Sequence, residues 1–173
     1  MKKENRTKLK NRAIAMAQEP MQKKEASIII EVIAFTLVTE IYGIESIFVK
    51  EVYTLTDFTP LPGAPSYIFG IINVRGQILP VIDLKKFFNL PEKGLGELNK
   101  VISLSNGQME FGILADVVHG TQEIELEDIR VVPPTVTGIG EEYLKGVTKE
   151  RLIVLNAKRL LSDKSIVVND EVH

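Results

Sequence analysis

A ten-residue pattern occurs twice in this chain, and it constrains the fold more than any other feature. Leu79-Pro-Val-Ile-Asp-Leu-Lys-Lys-Phe-Phe88 aligns without a gap with Leu152-Ile-Val-Leu-Asn-Ala-Lys-Arg-Leu-Leu161. Each copy is typical of a short aliphatic strand, then an Asp or Asn that can accept backbone N–H groups, then one apolar and basic helical turn. We therefore predict two related halves.

A second pair of segments supports the repeat. Tyr42-Gly-Ile44 precedes Lys50-Glu-Val52, just as Phe111-Gly-Ile113 precedes Gln122-Glu-Ile124. Two copies are too few for a solenoid, so a pair of similar small β-barrels is the expected outcome. The alternative is that strand, turn and helix units resemble one another by chance in a chain rich in β-branched residues.

The first half predicts a short meander. The run Ile28–Val38 predicts a strand, and Ile41–Ile44 predicts its partner. Ile47–Leu55 fits either a helical turn leading into a strand, which we favour, or one irregular strand. Prolines make Thr59–Pro65 a loop, because they remove N–H donors. Before the meander, Lys8–Glu19 has the apolar spacing of an amphipathic helix.

The centre of the chain predicts a hairpin followed by a capped helical turn. Arg75-Gly76 separates the aliphatic runs Ile71–Val74 and Ile78–Ile82, and glycine tolerates the positive φ of a tight turn. Asp83 can accept the first N–H groups of a helical turn over Leu84–Phe88. We expect two strands leading into one short helix.

The second half repeats this plan with different turns. Asn106-Gly107 lies between two aliphatic runs and is the strongest signal for a two-residue hairpin turn. The acidic segment Glu123–Asp128 predicts a short turn, and Pro133–Gly140 predicts a loop. A closing hairpin then leads to a short helix beginning near Ala157. We expect Ser162–His173 to fray.

Composition excludes several classes of protein. The chain has 173 residues and no cysteine, which excludes disulfides and thiolate metal sites. No segment approaches the ~20 apolar residues of a membrane span, so we expect a cytoplasmic protein that is not inserted in a membrane. Residues 1–25 carry eight basic and three acidic residues, which leaves −7 on the remainder because the total is −2. An acidic body binds phosphate backbones poorly, although the basic arm leaves a small β-barrel nucleic-acid-binding module as the alternative function.

Catalytic groups are scarce. His119 and His173 are the only histidines, and no serine stands in a Gly-x-Ser-x-Gly turn. The chain has no phosphate-binding glycine loop. Asp116 lies near His119 but lacks a clustered third ligand for a metal. We therefore expect no enzyme, no cofactor and no small-molecule substrate.

Binding through β surfaces is the remaining function class. Arg75, next to Gly76 on a hairpin, is placed where it can pair with a carboxylate, and Glu51 from the adjoining element is the candidate. Further candidate contacts, each more typical of a core position, are aromatic: Tyr53, Phe58, Tyr67 and Phe69.

The ordered set of motifs resembles the CheW family of bacterial and archaeal chemotaxis coupling proteins. The resemblance runs from about Ile30 to Leu161, and its combination of Asn-x-Arg-Gly with Pro-Val-Ile-Asp-Leu is specific. The segments that carry it are Tyr42-Gly-Ile44, Val49-Lys-Glu-Val52, Phe69-Gly-Ile-Ile-Asn-Val-Arg-Gly76, Ile78-Leu-Pro-Val-Ile-Asp-Leu84 and Tyr143-Leu-Lys-Gly146.

The resemblance implies an all-β fold with short helices, made of two packed five-stranded SH3-like β-barrels. Residues 1–27 then form a basic arm with an amphipathic helix, longer than a minimal family member needs. Residues 28–162 form the CheW-like domain, with a first barrel over roughly 28–90 and a second over roughly 97–162. Residues 163–173 form a tail after the short C-terminal helix.

The resemblance also implies an adaptor without catalysis, peripheral to membrane-bound receptor arrays. Its partners would be the cytoplasmic hairpin tip of a chemoreceptor and the regulatory domain of a CheA-type histidine kinase, with no nucleic acid. By analogy with the family, Val49, Glu51, Arg75 and Gly76 are the receptor- or kinase-binding residues. Kinase contact would involve mainly the second barrel, and an apolar insertion between Leu104 and Ile113 is one suggestion for it.

Overall fold

The structure is a computed structural model that describes residues 27–91 and 99–166. Within these ranges the chain forms ten strands and a few short helices. The strands are β1 Ile29–Leu37, β2 Glu40–Glu45, β3 Val49–Thr54, β4 Ile68–Val74, β5 Gln77–Ile82, β6 Lys100–Ser105, β7 Glu110–Ala115, β8 Val117–Glu125, β9 Leu144–Val147 and β10 Ile153–Leu155. The predicted helix over Lys8–Glu19 lies outside the described residues.

Helical segments are short and lie between strands. The α-helices are α1 Leu84–Phe87, α2 Pro134–Thr137 and α3 Ala157–Ser162. Single 3₁₀ turns cover Ser46–Phe48, Leu126–Asp128 and Glu141–Tyr143. In the described part of the chain, no helix is long and apolar enough to cross a membrane.

The strands form two five-stranded sheets whose orders reveal the repeat. Sheet A has the order β8-β1-β2-β10-β9, and sheet B has the order β3-β6-β7-β5-β4. If β1 to β5 are matched with β6 to β10, each strand of sheet A takes the same position as its counterpart in sheet B. The all-β class and the two related halves are therefore confirmed.

Sheet membership differs from the predicted division into a barrel over 28–90 and a barrel over 97–162. Each sheet combines strands from both halves, because β10 pairs in parallel with β2 and β5 pairs in parallel with β7. A parallel pair requires a long connection, so it is not specified by any local turn. The repeated segments supply these two parallel strands, but their sequence does not indicate which half each strand joins.

The main hydrophobic core lies between the two sheets, and each sheet also has a smaller core of its own. The sheet B core is lined by buried residues of β4 to β7: Ile72, Leu79, Val81, Val101 and Leu114. The sheet A core contains Val32, Ala34, Leu152 and Val154. The largest fully buried side chains of the main core are Phe35, Leu37, Tyr42, Ile44, Ile82, Leu84, Ile102, Leu104, Phe111, Ile113 and Ile139.

Two glycines at matching positions show how closely the halves correspond. Gly70 has φ 155° and Gly146 has φ 149°, values that side chains rarely permit. A Cβ on Gly70 would lie 2.6 Å from the carbonyl oxygen of Thr59, and a Cβ on Gly146 would lie 2.4 Å from that of Arg130. Because these positions are glycines, a loop residue can pair with each edge strand. Thr59 pairs with Ile71 of β4, and Arg130 pairs with Val147 of β9.

Both predicted helix caps are present. Asp83 accepts a hydrogen bond from the backbone N–H of Lys85 at 3.0 Å, and Asn156 accepts one from that of Arg159 at 3.1 Å. The predicted helical turn before β3 is present as well. These features depend on neighbouring residues, which is why the sequence predicts them.

Some local predictions were wrong. The segment Glu123–Asp128 is not simply a turn, because β8 continues through Glu125 as a partner of β1. The hairpin predicted at Asn106 is confirmed, but its loop has four residues rather than two, and the Asn106 side chain accepts N–H bonds from residues 108 and 109. The predicted loop near Pro134 contains the one-turn helix α2. No insertion separates β6 from β7 beyond that loop.

The start of the predicted fraying tail is packed. Asp163 and Ile166 are buried, and Tyr67 donates a hydrogen bond to the carbonyl of Ser165. Tyr143 donates to Asp163 at 2.6 Å. Residues 163–166 therefore attach to both halves, while 167–173 lie outside the described residues.

A buried ion pair joins the two sheets. Lys85 Nζ in α1 lies 2.9 Å from Asp116 Oδ1. Asp116 is the single residue that connects β7 of sheet B with β8 of sheet A. The other oxygen of Asp116 accepts the backbone N–H of Val38 at 2.7 Å, at the turn between β1 and β2. A charged pair with both carboxylate oxygens bonded is the form in which ionised groups are tolerated inside a protein.

Candidate functional site

The turn between β4 and β5 places Arg75 in solvent. The two residues of the turn, Arg75 and Gly76, have φ values of 52° and 82°, and Val74 pairs with Gln77. Positive φ at both central residues matches a type I′ hairpin turn. The side chain of Asn73 stabilises the turn, because its Oδ1 accepts a hydrogen bond from the Gly76 N–H at 2.9 Å. The predicted hairpin is confirmed.

Strand β3 carries the partner of Arg75. Its burial alternates, so Val49, Glu51 and Tyr53 are half-buried while Lys50 and Val52 are exposed. The pairing of β3 with β6 shifts register between Val49 and Glu51. Val49 packs against the main core, and Glu51 turns toward the turn between β4 and β5.

Arg75 and Glu51 form the predicted ion pair. Arg75 Nη1 donates to Glu51 Oε1 at 2.7 Å, and the two side chains are 75% and 34% exposed. In a flat sheet of order β3-β6-β7-β5, three strand spacings of about 4.8 Å would separate these elements. Sheet B must therefore curl to bring them together. That curl is what an SH3-like barrel requires, and barrel closure itself stays a prediction.

Electrostatics at this site favour the charged forms of both partners. The hydrogen bond from Arg75 lowers the pKa of the Glu51 carboxyl, with a further contribution from a hydrogen bond from Tyr53. The same pairing raises the pKa of Arg75. The guanidinium contacts Glu51 through Nη1 and carries five N–H donors, so an acceptor from a partner can bind it without breaking the pair.

A shallow cavity of about 100 Å³ lies beside Arg75. Its rim includes a second ion pair, in which Lys50 Nζ lies 3.3 Å from Glu110 Oε2. Ile78, 60% exposed, adds an apolar side chain next to these charges. The surface around Arg75 thus combines charged pairs with one apolar contact, as protein-binding surfaces do.

The sequence analysis named Tyr53 only as a general candidate contact, without linking it to Glu51 and Arg75, and it missed Lys50, Ile78 and Glu110 as parts of this site. A usable signal existed for Tyr53, because residues two apart on a strand share a face and Tyr53 follows Glu51 by two. Lys50 and Glu110 are 60 residues apart, and only the pairing of β3, β6 and β7 brings them together.

The other candidates lie elsewhere. The Phe58 ring packs against Phe69 in a tilted arrangement with ring centroids 4.2 Å apart, and the Tyr67 ring packs edge-on against Phe87. His119 is in β8, where its Nε2 lies 2.6 Å from Thr36 Oγ1 of the neighbouring strand β1. Among residues 27–91 and 99–166, no group of three or more His, Asp or Glu side chains is placed to hold a metal ion.

Comparison with protein families gives one match that spans most of the chain. The family model described as CheW-like domain matches residues 31–165. This range contains every described strand except the first residues of β1, and it contains the whole site around Arg75.

Individual proteins agree with this match. The chain is 36% identical over 143 residues to the chemotaxis protein CheW of Treponema pallidum, covering 79% of this chain and 84% of that protein. It is 33% identical over 145 residues to the chemotaxis protein CheW of Klebsiella aerogenes, covering 82% and 87%.

The fold has a counterpart among solved structures. The crystal structure of the scaffolding protein TtCheW from Thermoanaerobacter tengcongensis superposes with a TM-score of 0.67 at 33% identity, covering 75% of this chain and 85% of that one. The family match, the identities and the shared fold agree with the resemblance seen in the sequence motifs: the chain belongs to the CheW-like family of chemotaxis adaptor proteins.

Proposed function

We propose that this protein couples chemoreceptors to a CheA-type histidine kinase in a cytoplasmic signalling array. It would contact the cytoplasmic hairpin tip of a receptor and the regulatory domain of the kinase, without catalysis of its own. The observation that supports this most is the Arg75–Glu51 pair, because it holds a solvent-exposed guanidinium at the tip of a two-residue hairpin turn.

The receptor surface comprises Val49, Glu51, Arg75 and Gly76. A type I′ turn fixes the backbone at Arg75, and Glu51 fixes its side chain, so little conformational entropy is lost when a partner binds. A receptor carboxylate or carbonyl that meets this guanidinium forms a charge-assisted hydrogen bond. The kinase surface is proposed on the second half of the chain, which supplies β8 to β10 of sheet A.

The test is a pull-down of the purified protein with two separate baits, a receptor cytoplasmic fragment and the regulatory domain of a CheA kinase. We expect the wild type to bind both baits, and Arg75→Glu to lose the receptor fragment while it keeps the kinase domain. Circular dichroism and thermal unfolding of the variant establish that it is folded. Binding to neither bait would contradict the proposed function.

A matched control is available in the other sheet. Arg151, in the connection between β9 and β10, is exposed and also has a positive φ, 68°. Arg151→Glu makes the same charge change at a comparable turn. We expect this variant to bind the receptor fragment like the wild type, because the receptor surface is on sheet B.

A further inference from the structure

One side of sheet A is uncovered at the end where β1 begins. Successive residues of a strand alternate between the two sides of a sheet, so residues two apart share a side. Farther along β1 this side carries Phe35 and Leu37 into the main core, whereas Ile29 is 52% exposed and Glu31 is exposed as well. The main core therefore does not reach this end of the sheet.

Strand β8 adds negative charge to the uncovered side. Glu123 lies directly opposite Glu31, and Glu125 lies directly opposite Ile29. Residues paired in this way have Cβ atoms about 4.5–5.5 Å apart on one side of the sheet, and like charges there destabilise the pairing. All three glutamates are exposed, and none of the ion pairs within residues 27–91 and 99–166 involves them. The surface made of Ile29, Glu31, Glu123 and Glu125 is called the β1–β8 face below.

The N-terminal arm joins the described part of the chain beside this face. Ser27 Oγ donates a hydrogen bond to Glu127 Oε1 at 2.9 Å, and the N–H of Leu126 donates to the carbonyl of Ile28 at 2.7 Å. Leu126 directly follows the last residue of β8. The sequence before Ser27 has 26 residues, of which the first 25 include eight basic and three acidic ones. A basic segment is thus tethered next to an acidic, partly apolar surface.

Residues 8–19 combine the two properties that match the β1–β8 face. Lys8, Lys10 and Arg12 supply positive charge, and the segment has the apolar spacing of an amphipathic helix. Residues 20–26 connect it to Ser27 and span at most about 25 Å when fully extended. Glu31 is four positions beyond Ser27, which is about 13 Å along an extended strand. The segment is therefore long enough and close enough to reach this face of its own chain.

We propose that residues 8–19 dock in cis on the β1–β8 face, with their basic side chains on the glutamates and their apolar side on Ile29. A surface ion pair alone contributes little, but a short flexible tether raises the effective concentration of the segment to the millimolar range. Docking is a property of the free protein and needs neither a receptor nor a kinase. A partner that binds this face would have to displace the arm.

The test uses a spin label on the full-length protein. The chain contains no cysteine, so Asn11→Cys provides a single attachment site within the segment, on its polar side. Nitrogen-15 NMR then measures the paramagnetic broadening of each backbone amide against the reduced label. We expect strong broadening at Ile29, Glu31 and Glu123 and little at the hairpin of Arg75. Because the Debye length falls from about 10 Å at 0.1 M salt to about 3 Å at 1 M, the broadening should disappear near 1 M salt.

Two double variants separate the charge of this face from the charge of the whole protein. Glu31→Gln with Glu123→Gln neutralises the β1–β8 face and should remove the broadening there. Glu141→Gln with Glu142→Gln is the matched control, because it removes the same charge from exposed positions just before β9, at the opposite edge of sheet A. We expect this control to keep the broadening. Thermal unfolding establishes that both double variants are folded.

Three results would overturn the proposal. The first is the absence of broadening at the β1–β8 face at low salt; cosedimentation with phosphatidylglycerol vesicles would then assign the arm to an anionic membrane. The second is equal broadening in the two double variants, since the glutamates of the face would then have no role. The third is undiminished broadening when spin-labelled protein is mixed with nitrogen-15-labelled protein that carries no spin label, which would place the arm on a second copy of the chain.

Discussion

Two ion pairs of almost equal length occupy opposite environments in this protein. Arg75 and Glu51 lie 2.7 Å apart with side chains 75% and 34% exposed, whereas Lys85 and Asp116 lie 2.9 Å apart with side chains 4% and 8% exposed. The first pair is on a hairpin at the surface, and the second is at the junction of the two sheets. Distance alone therefore does not tell what an ion pair does.

The difference lies in what happens when one partner is removed. An exposed charge without its partner is solvated by water and screened by salt, so the fold loses little. A buried charge without its partner is neither solvated nor screened, so the free energy of unfolding decreases. We infer that the Lys85–Asp116 pair maintains the packing of the sheets and that the Arg75–Glu51 pair serves binding.

The largest expected effect is on Lys85. Lys85→Ala leaves Asp116 buried with one remaining hydrogen bond, from Val38, and should lower the free energy of unfolding by about 3–5 kcal/mol. Urea denaturation followed by circular dichroism measures this. Lys158→Ala, at the exposed position of α3 that the ten-residue repeat aligns with Lys85, is the control and should stay within about 0.5 kcal/mol of the wild type. If Lys85→Ala were equally mild, the buried pair would not hold the sheets together.

An intermediate effect is expected at Tyr143, whose hydroxyl bonds a buried carboxylate. Burial alone would raise the pKa of Asp163, but hydrogen bonds from Tyr143 and Ser165 and the charge of Arg159 outweigh burial and lower it. Tyr143→Phe should cost about 1–3 kcal/mol in the free energy of unfolding, measured in urea. Tyr53→Phe removes an equivalent hydroxyl near the surface and should leave the urea midpoint unchanged. If both variants lost the same free energy of unfolding, the burial of Asp163 would not explain the effect of Tyr143→Phe.

Alkaline pH should weaken the fold through two tyrosines, Tyr42, which is buried, and Tyr143, which is half-buried. Burial raises the pKa of Tyr143 to about 12, with a contribution from the hydrogen bond to Asp163, and burial raises that of Tyr42 to about 12. Since a tyrosine in the unfolded chain titrates near pH 10, the folded state holds more protons above that pH, and stability falls as pH rises from 10 toward 12. Urea midpoints measured along this range should decrease. Tyr143→Phe should show a shallower decrease, and identical slopes would rule out a contribution from Tyr143.

The smallest effect on the fold is expected for the exposed pair itself. Arg75→Glu places two carboxylates next to each other at the surface, and its free energy of unfolding should stay within about 1 kcal/mol of the wild type, because water and salt screen the repulsion with Glu51. The denaturation series used for Lys85→Ala measures this directly. An unfolded Arg75→Glu protein would mean that the surface pair is structural.

The parts of the structure that were predictable from the sequence are those set by the conformational and hydrogen-bonding preferences of neighbouring residues. The turn at Arg75, its pairing with Glu51 and the caps at Asp83 and Asn156 depend on residue types with strong local preferences, and all are present. Strand β8 was missed in part because its sequence, with Gly120 and several polar residues, lacks the apolar alternation of a half-buried strand.

Long-range pairing was the main feature that the sequence did not predict. The parallel pairs that carry β5 and β10 into their sheets leave no local trace, so the sheets could not be assigned to the halves. For the same reason Asp116 appeared only as a neighbour of His119, whereas in the fold it pairs with Lys85, 31 residues earlier. Nothing in the spacing of these two residues indicates that they meet.

Receptor binding by the hairpin between β4 and β5 is tested by the dissociation constant of a receptor cytoplasmic fragment for the wild type, Arg75→Glu and Arg151→Glu, determined by calorimetry at one salt concentration. We predict that charge reversal at Arg75 abolishes measurable binding while the protein stays folded, and that the same reversal at Arg151 leaves the dissociation constant unchanged. Equal affinities for the two variants would contradict the assignment of receptor binding to the hairpin between β4 and β5.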